Sequence, residues 1–257
     1  MKSKTAAPIS AELQSYTSIL IPDSMILASI AIETDEDTWQ HIERVEAIMA
    51  HTHCLHLSRR GLELLNKALS YPSHCIPIAA HWKRLGIGNG EIGLIMNSLE
   101  FPMSIRFNTS LQSNERPVVS LESRGYELPF GRDPRFEYDQ RWLVTHNEEF
   151  VSAFMRMNCY MFPPAGVIMT VIVDGITEKP RMTLGAGMPI LIEAKQLDET
   201  SWFFDFTNDQ WIIESWPGKQ PMKILDSLQT ANICVHYSQP GKEQIRIITR
   251  KVHLVLR

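Results

Sequence analysis

The sequence predicts an α+β protein. A helix-rich N-terminal part carries one early strand, and a C-terminal part is a mostly antiparallel sheet packed by one long and one short helix. Three observations lead there. Between Trp39 and Leu69 apolar residues recur three and four apart, the spacing of an amphipathic helix. A longer stripe of the same kind runs through Phe136, Leu143, Phe150, Phe154 and Met157. After Pro164 the period changes to short β-branched and aromatic runs divided by turn residues, as strands require.

Taken in order, Met25–Glu33 is rich in isoleucine and bounded by Pro22-Asp23 and Thr34-Asp35, which predicts a buried strand. Asp35, Asp37 or Thr38 then offers an N-cap, and Trp39, Ile42, Val45, Ile48 and Met49 continue at helical spacing. Leu62, Leu65 and Leu69 extend the pattern through a second helix over 57–69, which Tyr71-Pro72-Ser73 ends. Residues 77–99 read as helical, broken by Gly86, Gly88 and Gly90, and Ser104–Phe107 as a short strand. Residues 108–134 show no clear period.

The stripe over 135–161 predicts the long helix, stopped by Pro163-Pro164. Strands are expected at 166–173, 189–196, 233–237 and 244–256. Residues 202–206 with 211–216 read as a hairpin, and 222–230 as the short helix. The expected organisation is a part over 1–110, a junction over 111–134 and a part over 135–257, or one continuous domain.

Composition narrows the classes. The chain of 257 residues is 44% hydrophobic and 21% charged, which fits a globular protein and not a disordered one. Cys54, Cys75, Cys159 and Cys234 are scattered and no leader-like segment stands at the start, so reduced thiols and a cytoplasmic location are expected. The longest apolar run is too short to span a bilayer, so no membrane partner is expected. A net charge of −4 is unlike that of a protein devoted to coating nucleic acid.

Five groups of residues carry candidate chemistry. Residues 79–99 fit a helix-turn-helix with its turn at Leu85-Gly86-Ile87, although Gly90 and Gly93 weaken its second helix. His51, His53, His56, His74 and His81, with Cys54 and Cys75 among them, bring together the imidazole and thiol ligands that zinc takes. Lys242, Arg246, Arg250 and Lys251 make the chain end basic, a candidate nucleic-acid contact. The six aromatics Trp202, Phe203, Phe204, Phe206, Trp211 and Trp216 suit either a core or a protein interface.

The remaining group is Asp174 with Glu193 and Lys195. In a strand Glu193 and Lys195 share a face. A helix, a strand ending in an aspartate and a strand carrying acidic-x-Lys, followed by a hairpin, a helix and a strand, resemble the core of the PD-(D/E)XK nucleases. That resemblance covers about 100 residues. It implies that Asp174 and Glu193 hold Mg²⁺ while Lys195 orients water or steadies negative charge. There is no proline before Asp174, and the Glu-x-Lys lies on the second predicted strand where that family has its third. The leading expectation is a non-catalytic binding or assembly subunit without cofactor, engaging a protein partner and in second place nucleic acid. The Mg²⁺-dependent nuclease is the alternative.

Overall fold

A computed structural model describes residues 3–22, 25–49, 52–78, 80–81, 91–92, 94–96, 103–127, 140–152, 159–161, 167–184, 188–189, 193–206, 233–237 and 244–256. Among these the chain is mostly β with two helices, which overturns the expected α+β class. In chain order come β1 (Ser3–Thr5), β2 (Ile9–Glu12), β3 (Tyr16–Ile21), β4 (Met25–Glu33), α1 (Glu36–His41), β5 (Ile42–Met49), β6 (Thr52–Ser58) and α2 (Arg59–Leu69). Then follow β7 (Cys75–Pro77), β8 (Ala80–His81), β9 (Glu91–Ile92), β10 (Leu94–Met96), β11 (Met103–Thr109) and β12 (Val118–Tyr126). The last are β13 (Gln140–Ser152), β14 (Cys159–Met161), β15 (Val167–Asp174), β16 (Arg181–Leu184), β17 (Met188–Pro189), β18 (Lys195–Asp198), β19 (Ser201–Asp205), β20 (Ile233–His236) and β21 (Gln244–Leu256).

The chain divides into two compact units. One comprises Met1–Ala80, Glu91–His146 and Val255–Arg257, and the other His81–Gly90 and Asn147–Leu254. In the first, β6, β5, β11 and β3 lie side by side in that order, all antiparallel. A second sheet centres on β4 and β12, with β1 and β2 beside β12 and β7 and β10 beside β4. In the second unit β13, β21, β15, β19 and β18 are neighbours in that order. A separate sheet there runs β14, β20, β16, β17. Among the described residues each unit thus holds two main sheets, a jelly-roll-like arrangement.

Local chemistry accounts for these elements. Along β11 inward and outward residues alternate without a break, with Met103, Ile105 and Phe107 fully buried, the period of a strand with one covered face. Helix α2 is capped by Ser58, whose Oγ accepts from the Gly61 amide, and ends at Ser70 in the left-handed region. It buries Leu62, Leu64 and Leu65. Asn66 Nδ2 donates to the Ser73 and Cys75 carbonyls, 2.8 and 2.7 Å away. Helix α1 is a single capped turn and a half, with Asp35 accepting from the Thr38 amide at 2.7 Å. The Thr38 amide and hydroxyl hold the Asp35 carboxyl below the usual carboxylate range.

The strand at Met25–Glu33, the strand around Ser104–Phe107 and the helix after Leu57 form as predicted. Three expected helices do not. The residues after His41 turn to strand, because the pairing with β11 steps from Asn108↔Arg44 to Thr109↔Ile42 and leaves Glu43 as an extra residue. That bulge returns Ile42 and Val45, three apart, to the same buried side, and the spacing imitates a helix. Within 77–99 the described residues form strands β8, β9 and β10, so Glu91–Met96, the second helix of the helix-turn-helix reading, is extended where described. Residues 85–87 lie outside the described residues.

Over 135–161 the described residues form β13 and β14. Phe150, which a helical stripe would bury, is 52% exposed, and Val144 and His146 are buried two apart. Partners on β21 supply cross-strand contacts that outweigh the helical spacing. Val118–Tyr126, inside the stretch without clear period, is also a strand. The predicted hairpin partner at 211–216 and the short helix at 222–230 lie outside the described residues.

Phe107 tests the first unit. Replacing it by alanine removes a fully buried ring between β3 and β5, and a loss of about 3–5 kcal/mol is expected in the midpoint of denaturant-induced unfolding.

Candidate functional site

Asp174 closes β15, a strand in which Ile168 to Asp174 are all buried. The chain turns at once through Gly175, whose φ of 103° is open to glycine at little cost. Its amide donates to the Thr200 carbonyl at 2.9 Å. The turn sets Asp174 opposite Ser201 on β19 and opposite Arg246 on β21. Ser201 Oγ donates to Oδ1 at 2.8 Å and Arg246 Nη1 to Oδ2 at 2.9 Å, with Thr200 Oγ1 3.4 Å from Oδ1. On the next strand Glu148 Oε1 lies 2.6 Å from Arg246 Nε. The Phe150 ring lies under the guanidinium, 5.2 Å from Cζ to the centroid.

The result is a polar row across four strands: Ser201, Asp174, Arg246, Glu148. The side chains of Asp174 and Glu148 are only 5% and 3% exposed. One guanidinium faces both carboxylates, using the fork geometry that lysine lacks.

The residues of the nuclease reading have different surroundings. Asp174 is committed to Arg246 and Ser201. Glu193 precedes β18, is 84% exposed and pairs with Lys179 Nζ at 2.7 Å; that ammonium keeps its carboxyl below the usual range. Lys195 is exposed on β18, opposite Phe203, which in turn faces Ile172. Its row is therefore about 7 Å along and about 10 Å across from that of Asp174. Asp174 and Glu193 thus have separate partners, Ser201 and Arg246 for the one and Lys179 for the other.

The basic end is built into the sheet. Arg246 occupies the polar row, while Arg250 and Lys251 are 4% and 9% exposed. Burial lowers the Lys251 ammonium, and the Glu149 charge partly restores it. Lys242 lies outside the described residues. The aromatics Trp202, Phe203, Phe204 and Phe206 are all buried, and Trp202 Nε1 donates to the Ile176 carbonyl at 3.2 Å. These four are core, and Trp211 and Trp216 lie outside the described residues.

Among the cysteines, burial pushes Cys54 up to about 12 and Cys75 to about 11, so both are protonated thiols and poor ligands near neutral pH. His74 stacks on Trp39 with centroids 4.1 Å apart. His51 lies outside the described residues. Sequence reasoning missed Glu148, since it placed that residue on a helix. The available signal was the two-residue alternation Val144, His146, Glu148.

Arg246→Ala would leave two buried carboxylates without their shared cation. We expect it to cost about 3–5 kcal/mol by denaturant unfolding, with Arg246→Lys recovering part of the loss.

His253 adds a pH dependence. Burial, and then the Lys251 charge, lower its pKa from the unfolded value of 6.5. The unfolded chain therefore binds this proton more readily than the folded one. The stability held by the neutral imidazole is complete above 6.5 and is lost as pH falls through the lower folded value. The native chain should lose stability relative to His253→Asn as pH falls from 6.5 through that lower value, and curves that stay parallel across this window would contradict it.

No family model matches the sequence, and no curated protein does. Solved structures match along the whole chain. The fold is similar to that of the major capsid protein P2 from Bacteriophage PM2, at 11% identity and a TM-score of 0.62, covering 98% of this chain and 99% of that one. It is similar to the STIV MCP at 8% identity and a TM-score of 0.53, covering 99% of this chain and 96% of that one. The PBCV-1 virus capsid matches at 8% identity and a TM-score of 0.51, over 99% of this chain and 94% of that one. Among the described residues no helix is long and apolar enough to cross a membrane. At these identities the likeness is one of fold.

Proposed function

We propose that this chain is a capsid assembly subunit whose principal partner is other copies of itself. The observation that carries the proposal is the end-to-end likeness to the capsid protein of Bacteriophage PM2, with 98% and 99% of the two chains covered. A fold hosts many functions, so the physical character of the surface matters as well. Strand β3 ends its sheet and bears Leu20 and Tyr16, 61% and 51% exposed. An edge strand with large apolar side chains favours association. The polar row around Arg246 fits the same role, since a subunit under assembly load gains from cross-strand ties inside its sheet.

Light scattering coupled to size exclusion, with negative-stain microscopy at rising protein concentration, tests this. Discrete oligomers and closed or sheet-like shells are expected. Leu20→Asp should shift the distribution toward monomer without moving the unfolding midpoint. A chain that stays monomeric throughout the concentration series would overturn the assignment.

A further inference from the structure

The pairing of β5 with β6 steps from Ala47↔Leu55 to Ile48↔His53, so Cys54 is an extra residue on β6. In an unbroken strand His53 and His56, three apart, would point to opposite faces. The bulge reverses one of them and brings both to the face that carries Glu46, the register partner of His56. His56 Nδ1 lies 3.4 Å from Glu46 Oε1, and the two imidazole rings meet edge to face with centroids 5.9 Å apart. One ligand atom from each of Glu46, His53 and His56 falls within 4.8 Å of the other two.

We propose that Glu46, His53 and His56 form a binding site for a borderline divalent transition metal, with Zn²⁺ the best match. Zinc bonds of 2.0–2.1 Å in a tetrahedron put donor atoms about 3.3 Å apart. The His56–Glu46 separation already has that value, and His53 needs only a side-chain adjustment. Two imidazoles and one carboxylate are a set that zinc takes with a fourth position left to water. Mg²⁺ prefers an all-oxygen octahedron and is disfavoured here. The donors sit on two paired strands, so the site is held by backbone hydrogen bonds and not by a loop. The Glu46 and His56 side chains are 12% and 35% exposed, and His53 is exposed, which leaves a path for the ion. Arg106 stands on the other flank of Glu46 in the same row, so the metal approaches from the imidazole side. The Cys54 side chain is buried and is not one of the three residues whose ligand atoms cluster.

Calorimetric titration of the full chain with ZnCl₂, and with CoCl₂ followed by absorption, tests the site. One equivalent of Zn²⁺ per chain is expected, and Co²⁺ alone should give a four-coordinate spectrum free of a thiolate charge-transfer band that added Zn²⁺ abolishes. His53→Ala, an exposed change that the fold tolerates, should weaken Zn²⁺ at least ~10-fold, and His56→Gln likewise. MgCl₂ in excess should not compete. Absence of Zn²⁺ binding, an affinity unchanged from the native chain in both variants, a thiolate band, or displacement by Mg²⁺ would each overturn the proposal.

Discussion

A buried N–H or C=O without a partner costs free energy comparable to a lost hydrogen bond. With two helices among the described residues, strands must satisfy nearly all such groups by pairing with one another. That requirement decides which side chains meet. Once β11 stands between β3 and β5, Phe107 faces Val45 and Arg106 faces Glu46 without further choice. Once β15 stands between β19 and β21, Asp174 is set between Ser201 and Arg246. The polar row and the histidine cluster are both consequences of register, before any specific attraction is considered.

Bulges are where this constraint is adjusted. A single extra residue at Glu43 turns Ile42 and Val45 to one buried side, and another at Cys54 turns His53 toward His56. Each inserts one residue, reverses the pleat beyond it and leaves the ladder otherwise intact. The cost is local, and the gain is a combination of side chains that strict alternation forbids.

These same bulges explain how much of the molecule could be read from its sequence. Strands dense in β-branched residues were legible: Met25–Glu33, despite an extra residue at Ala28 in its pairing with β12, and the run from Gln244 to Leu256 form where that density predicts them. So was α2, whose Leu62 and Leu65 keep true helical period up to its cap. The α+β class was not, because a bulged strand spaces its buried residues by three, and periodicity over six or eight residues cannot distinguish that from a helix. Strand β13 misled for another reason. Its Phe150 covers a guanidinium on β21, a long-range partner that no local pattern announces. Asp174 was legible as an unusual residue at a strand end. Its connection to Arg246, 72 positions away, and to Glu148 was not.

The two polar clusters follow one geometric rule and differ in what balances their charge. In the second unit the carboxylates of Asp174 and Glu148 are at most 5% exposed. At that depth an unpaired charge is prohibitive, and a permanent cation from the chain itself, Arg246, occupies the space between them. Hydrogen bonds and ion pairs link its members, and the cluster acts as a tie across four strands. In the first unit Glu46 and His56 keep 12% and 35% of their side-chain surface, and an unprotonated imidazole nitrogen can donate its lone pair to a metal. In the proposed site they leave coordination to be completed from outside. Burial with a resident guanidinium produces a structural ion pair, while partial exposure with imidazoles produces a place for an ion. Strand register yields both.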